Sequence, residues 1–105
     1  MAEFITNIAG AKIYKDVSKH KKLAMPKLNS PAEEGVVYEV LSVGMNGRTP
    51  IATVKEGSKA IAYTLPTDLF GWVQNFMMMS QDGVKLLPAK IEFGILEGRA
   101  YAEIY

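Results

Sequence analysis

The chain has 105 residues, 49% of them apolar and 22% charged, which suits one hydrophobic core and lies outside the low-hydropathy, high-charge regime of disordered chains. It has no cysteine, which excludes disulfides and thiolate metal sites; with no secretory pattern at the N-terminus and no apolar run near the roughly 18 residues that cross a bilayer, a soluble cytoplasmic protein is expected. The net charge is only +1, but residues 12–27 carry six lysines against Asp16 alone, a local +5 that leaves −4 elsewhere.

One domain is expected over 1–105, with an N-terminal strand and basic loop over 1–35 and a core over 36–105. Residues 3–17, EFITNIAGAKIYKDV, combine β-branched and aromatic residues with a central Gly10, which predicts one bent strand or two short ones. The lysine-rich stretch runs into LAMPKLNSPAEEG, where Pro26, Asn29, Pro31 and Gly35 mark a loop rather than a helix.

From Val36 the pattern sharpens. VVYEVLSV reads as a strand, GMNGR as a turn on Asn46-Gly47, TPIATV as the partner strand, KEGS as a second turn and KAIAYTL as a third strand. PTDLFGWVQNFMMMSQDG reads as a helix with Thr67 as N-cap, Asp68 near the positive end and Gly83 past the C-terminus. At about 100° per residue, Leu69, Trp72, Val73, Phe76, Met77 and Met79 share one face, with Gly71, Gln74, Asn75 and Met78 opposite.

The last stretch, VKLLPAKIEFGILEGRAYAEIY, holds a Glu97-Gly98 pair between apolar runs, a two-residue hairpin signal. With Leu96 facing Arg99, the register sets Ile95 against Ala100, Phe93 against Ala102 and Ile91 against Ile104 on a face assigned to the core. The opposite face pairs Gly94 with Tyr101, Glu92 with Glu103 and Lys90 with Tyr105.

The fold class is therefore mostly β with one helix. From Val36 the order β-β-β-α-β-β is that of a small, partly open barrel of the oligonucleotide/oligosaccharide-binding (OB) type. An open antiparallel sheet with the helix packed on one face has the same element order.

Catalytic chemistry is scarce. His20 is the only histidine and lies in SKHKK, where it is read as an ordinary loop residue, the alternative being a phosphate contact or an acid-base role. The zinc spacings, the phosphate-cradling glycine loop and the nucleophile elbow are all missing. Glu92 and Glu103, opposed on the last hairpin, form a surface pair screened by Lys90 or Arg99 unless they act as acid and base or bind a metal. The chain is read as a non-enzymatic protein with no cofactor and no metal.

Binding features remain. Lys12, Lys15, Lys19, Lys21 and Lys22, with His20 among them, suit phosphate contacts, and Tyr14 in the same stretch is a candidate stacking platform. Lys90, Arg99, Tyr101 and Tyr105 on the last hairpin suit base stacking beside cations. Lysine outnumbers arginine, of which only Arg48 and Arg99 are present, so binding should neutralise backbone charge without reading sequence. The expected ligand is single-stranded DNA or RNA. The alternative is a protein-interaction module, a small regulator or inhibitor of a larger enzyme, or a homodimer. It would use Phe70 and Met78, because three successive methionines on a helix cannot all face one core.

Overall fold

The computed structural model describes residues 3–105. Its strands are β1 (Phe4–Thr6), β2 (Lys12–Tyr14), β3 (Lys27–Leu28), β4 (Val36–Asn46), β5 (Thr49–Glu56), β6 (Lys59–Thr64), β7 (Ala89–Leu96) and β8 (Arg99–Ile104), with one helix, α1 (Phe70–Gln81). β4, β5 and β6 form the expected meander. Its first turn is tighter than GMNGR suggested: Asn46 pairs Thr49, so only Gly47 and Arg48 lie in the turn. The β7–β8 hairpin has the register that its alternation demands, from Leu96 opposite Arg99 to Ile91 opposite Ile104. Glu97 and Gly98 both take positive φ, 53° and 78°, the backbone that a two-residue turn between right-twisted strands requires.

After the meander, α1 carries the chain across so that β7 pairs antiparallel with β4, Val36 opposite Phe93 through Val40 opposite Ala89. The spatial order β7-β4-β5-β6 is a Greek key. β8 lies beyond β7, and the short β3 runs parallel to the end of β7 on the edge that β4 vacates, Lys27 and Leu28 against Ile95 and Leu96. The sheet is mixed and open: β6 and β8 do not pair. Their free edges are blunted separately. The Leu23 amide donates to the Thr64 carbonyl and the Thr64 amide to the Lys21 carbonyl along β6, while the Asp68 carboxylate accepts the Ala100 amide along β8. Covering strand edges in this way stops them from templating another chain.

A register shift between Val40 and Ser42 bends β4. An extra residue in one strand inverts the in-out parity beyond it. Val36, Tyr38 and Val40 face the core before the shift, and Val43 and Met45 after it. The core gathers Val40, Ala52, Val54, Ile91 and Phe93 from the sheet, Leu69, Val73 and Phe76 from the helical segment, and Leu23 from the lysine-rich stretch. Trp72 sits edge-on to Phe93, ring centroids 5.8 Å apart, and closer to Phe76 at 4.6 Å.

The helix presents the expected face, but Thr67 does not cap it. A single 3₁₀ turn over Thr67–Leu69 precedes α1, without side-chain capping; Asp68, the acidic residue of that turn, is spent on β8. At the other end the Val84 amide bonds the Met79 carbonyl and the Gly83 amide bonds that of Ser80, the paired closure of a Schellman motif.

The N-terminal stretch resolves into two strands rather than one bent strand. β1 and β2 pair as a hairpin, Phe4 opposite Tyr14, and pack on the outer face of the sheet, where Ala11 meets Ile51 and Ala62 and Asn7 donates to Thr53 Oγ1. Ile51 through Val54 are consequently all buried, two toward the helix and two toward this hairpin. Ile104, assigned to the core from its alternation, is 53% exposed: it is the last residue of β8, where the strand runs out of the core. Phe93 is fully buried among Tyr38, Trp72 and the sheet, so Phe93→Ala should cost about 3 to 5 kcal/mol in urea unfolding, whereas Ile104→Ala should cost less than about 1 kcal/mol.

Candidate nucleic-acid interface

The lysine-rich stretch is a strap, not a free loop. From β2 it passes through a 3₁₀ turn at Val17–Lys19, initiated by Asp16 accepting the Ser18 amide and hydroxyl; these bonds and the nearby Lys19 hold Asp16 below its ordinary range. The strap then runs along the edge of β6 at Lys21–Leu23, gives its Ala24 carbonyl to the Tyr38 hydroxyl, and reaches β7 where the Pro26 carbonyl accepts the Ile95 amide. Leu23 is buried in the core and Met25 packs against it, while the lysines on either side of them stay outside. Lys12, Lys15, Lys19, Lys21, Lys22 and Lys27 are all exposed.

Only Lys19 of these six forms an ion pair among the described residues, 3.0 Å from Glu3. Lys12 places its ammonium 4.8 Å from the centre of the Phe4 ring, a cation–π contact. The five lysines other than Lys19 have no ion-pair partner among the described residues.

Tyr14 and His20, expected among the phosphate and stacking contacts, are engaged in the strap itself. The Tyr14 amide donates to His20 Nε2 at 3.0 Å, and its carbonyl accepts from Asn46 Nδ2 at 2.6 Å. The Tyr14 ring meets Phe4 and His20 edge to face, with centroids 5.7 and 5.2 Å away. His20 serves as an acceptor that ties the 3₁₀ turn to β2. Phe4 and Asn46 complete this cluster, and sequence reasoning had not singled them out.

The hairpin residues form a separate surface. The Tyr101 ring lies across Gly94, where an added Cβ would come within 2.7 Å of it, and its hydroxyl donates to Glu92 at 2.6 Å. Glu92 also accepts the Gly35 amide at 3.1 Å. These two donors, Tyr101 first, hold Glu92 below its ordinary range, and the same bond to a carboxylate pushes Tyr101 up to about 12. The like-charged pair Glu92 and Glu103 is thus relieved by hydrogen bonds to one partner, and neither Lys90 nor Arg99 makes an ion pair among the described residues. The space that Gly94 leaves is filled by the Tyr101 ring itself.

Around Tyr101 lies a groove of about 440 Å³ lined by Leu28, Pro31, Glu33, Glu92, Leu96, Arg99, Ala100 and Glu103. It holds three carboxylates, one arginine and none of residues 12–22. The strap therefore meets the final hairpin at residues 26–28, beside the end of β7, and the early cations do not share a groove with Tyr101. Tyr105 is different: it is 67% exposed and held by its amide on the Lys90 carbonyl. Phe70 and Met78 are 37% and 57% exposed on α1, and Met78 points away from the core as its helical position requires.

No family model matches the chain, and no curated protein or solved structure matches it either. Among the described residues no helix is long and apolar enough to cross a membrane.

The Tyr101–Glu92 bond makes stability depend on pH in two windows. Glu92 has a lowered folded pKa, so its contribution is complete above its ordinary value of 4.5 and is lost as pH falls through the folded value. Tyr101 has a raised one, so its contribution is complete below 10 and is lost as pH rises toward about 12. Tyr101→Phe should therefore lower the Tm at neutral pH and make its fall shallower in both windows, measured by circular dichroism. The alkaline fall should persist in part because Tyr63, bonded to Glu56, is also pushed up to about 12. Unchanged slopes in the variant would remove the coupling.

Proposed function

We propose that the chain is a non-enzymatic module that binds single-stranded nucleic acid through its phosphate backbone. The observation that carries this reading is the strap: five exposed lysines, Lys12, Lys15, Lys21, Lys22 and Lys27, without an ion-pair partner among the described residues, on a segment fixed to the sheet at both edges. A cationic surface held in place neutralises phosphates and releases their counterions without first losing the entropy of a free loop.

The topology supports the same face by analogy. In OB-type Greek-key barrels oligonucleotides lie across the second and third strands of the core; the equivalent strands here, β5 and β6, carry the β1–β2 hairpin on their outer face. The lysines at β2 and along the edge of β6 take the place of the bare sheet. Stacking falls to Tyr105, whose ring is open, rather than to Tyr14 or Tyr101, whose rings are occupied. The acidic groove around Tyr101 bounds the surface by repelling phosphate. The exposed Phe70 and Met78 favour a second reading, a contact with a partner protein on the helix face, which leaves the strap free.

Fluorescence anisotropy with a labelled oligothymidylate at several salt concentrations tests the proposal. Affinity should fall steeply with salt, and Lys15→Gln, Lys21→Gln and Lys22→Gln together should reduce the slope of log K against log salt by about 2, at roughly 0.7 per single-strand phosphate contact. Tyr105→Ala should weaken binding by about 1 to 3 kcal/mol with little change of slope. Absence of binding at low salt would overturn this reading. For the second, Met78→Asp should leave oligonucleotide affinity unchanged.

A further inference from the structure

β4 is longer than its neighbours. On one edge it pairs β5 along its full later half, from Ser42 opposite Thr53 to Asn46 opposite Thr49. On the other edge β7 accompanies it only as far as Val40 opposite Ala89. In a two-residue hairpin the closing residues exchange both hydrogen bonds, and the alternation then turns Asn46, Gly44 and Ser42 toward β5 and Met45 and Val43 away from it. No main-chain bond outside the ladders involves residues 41–46 among those described. The N–H and C=O groups of Val43 and Met45 thus form a short unpaired strand edge, the kind of edge this fold covers at both β6 and β8.

This edge is flanked by apolar surface. A groove of about 520 Å³ runs between Leu41–Val43 and Lys85–Leu87, walled by Phe76 and Met77. A second, of about 280 Å³, continues past Val43, Gly44 and Met45 to Ile5 and Ile13. Ile8, fully exposed, lines both. Across the two grooves the only charged residue is Lys85, which has no ion pair among the described residues.

We infer that the later half of β4 is a strand-addition site for an extended segment of a partner protein. That segment supplies main-chain groups to Val43 and Met45, alternate apolar side chains to the two grooves, and a carboxylate to Lys85. The unpaired backbone calls for a β-strand rather than a helix or a nucleic acid, and the lone cation sets the sign of the partner's charge. The site is independent of the lysine strap.

The probe is a fluorescein-labelled, capped peptide, Thr-Val-Thr-Val-Asp, followed by anisotropy and by amide hydrogen exchange. In the free protein the amides of Val43 and Met45 should exchange faster than those of Ser42 and Gly44, and saturating peptide should slow them. Val43→Pro removes an outward N–H that no ladder uses; it should keep the wild-type circular dichroism spectrum and weaken the peptide at least about tenfold, one main-chain bond converted to affinity. Lys85→Glu should weaken this peptide and strengthen one with lysine in place of aspartate. A peptide N-methylated on every residue, which has no N–H on either strand edge, should not bind. Binding that ignores Val43→Pro and N-methylation would overturn the inference, as would Val43 and Met45 amides already slow in the free monomer. Protection that appears only with rising protein concentration, in step with dimers in sedimentation, would assign the edge to a second copy and also overturn it.

Discussion

The ladder between β4 and β7 is the constraint on which the rest of the molecule depends. A three-stranded meander alone has one face to bury and nothing to bury it. By bringing β7 back beside Val36–Val40, the chain converts the meander into a Greek key, places Ile91 and Phe93 opposite the helix face of Leu69, Val73 and Phe76, and fixes the only position from which β8 can pair. Loop-closure entropy opposes such a pairing, because about fifty residues separate the partners. Apolar burial at Val40, Ile91 and Phe93, all without exposure, is what offsets it.

That ladder is also short, and its shortness organises the surface. Beyond one end of it β3 takes the edge of β7 that β4 vacates, and beyond the other β4 continues without β7, paired only to β5 and with a shifted parity. The strap from Lys21 to Leu28 crosses from the edge of β6 to the edge of β7, so the most cationic segment also ties the open sheet together. Its Leu23 is buried and its Met25 packs against the core, while its lysines are exposed. Structure and charge display are thereby carried by different residues of one stretch.

Much of the fold was legible because its strongest signals are local. The final hairpin has period-two alternation on both strands and a Glu97-Gly98 turn, and these determine its register residue by residue. The helix face followed from its spacing. The rest depends on distant partners. Nothing in LSV announces that β4 shifts register at Leu41, and two residues, Lys27 and Leu28, are too few to show a strand. The run from Ile51 to Val54 does carry a signal of burial on both faces, but no rule names the N-terminal hairpin as the second cover. At the sites, the register already placed Glu92 diagonal to Tyr101 across from Gly94, so the hydroxyl–carboxylate bond was within reach of a reading that asked where the tyrosine's polar tip goes. The bond from Asn46 to Tyr14 links residues 32 apart and had no such signal.

The double burial of β5 has a consequence for how the chain is made. Ile51 and Thr53 would be a sticky stripe on any intermediate that had only the sheet and the helix. Their cover, the β1–β2 hairpin, lies nearer the N-terminus and leaves the ribosome before the stripe exists. Synthesis therefore never requires the stripe to wait for a later segment, and the same arrangement in a circularly permuted chain, with residues 3–17 moved to the end, would lose that protection.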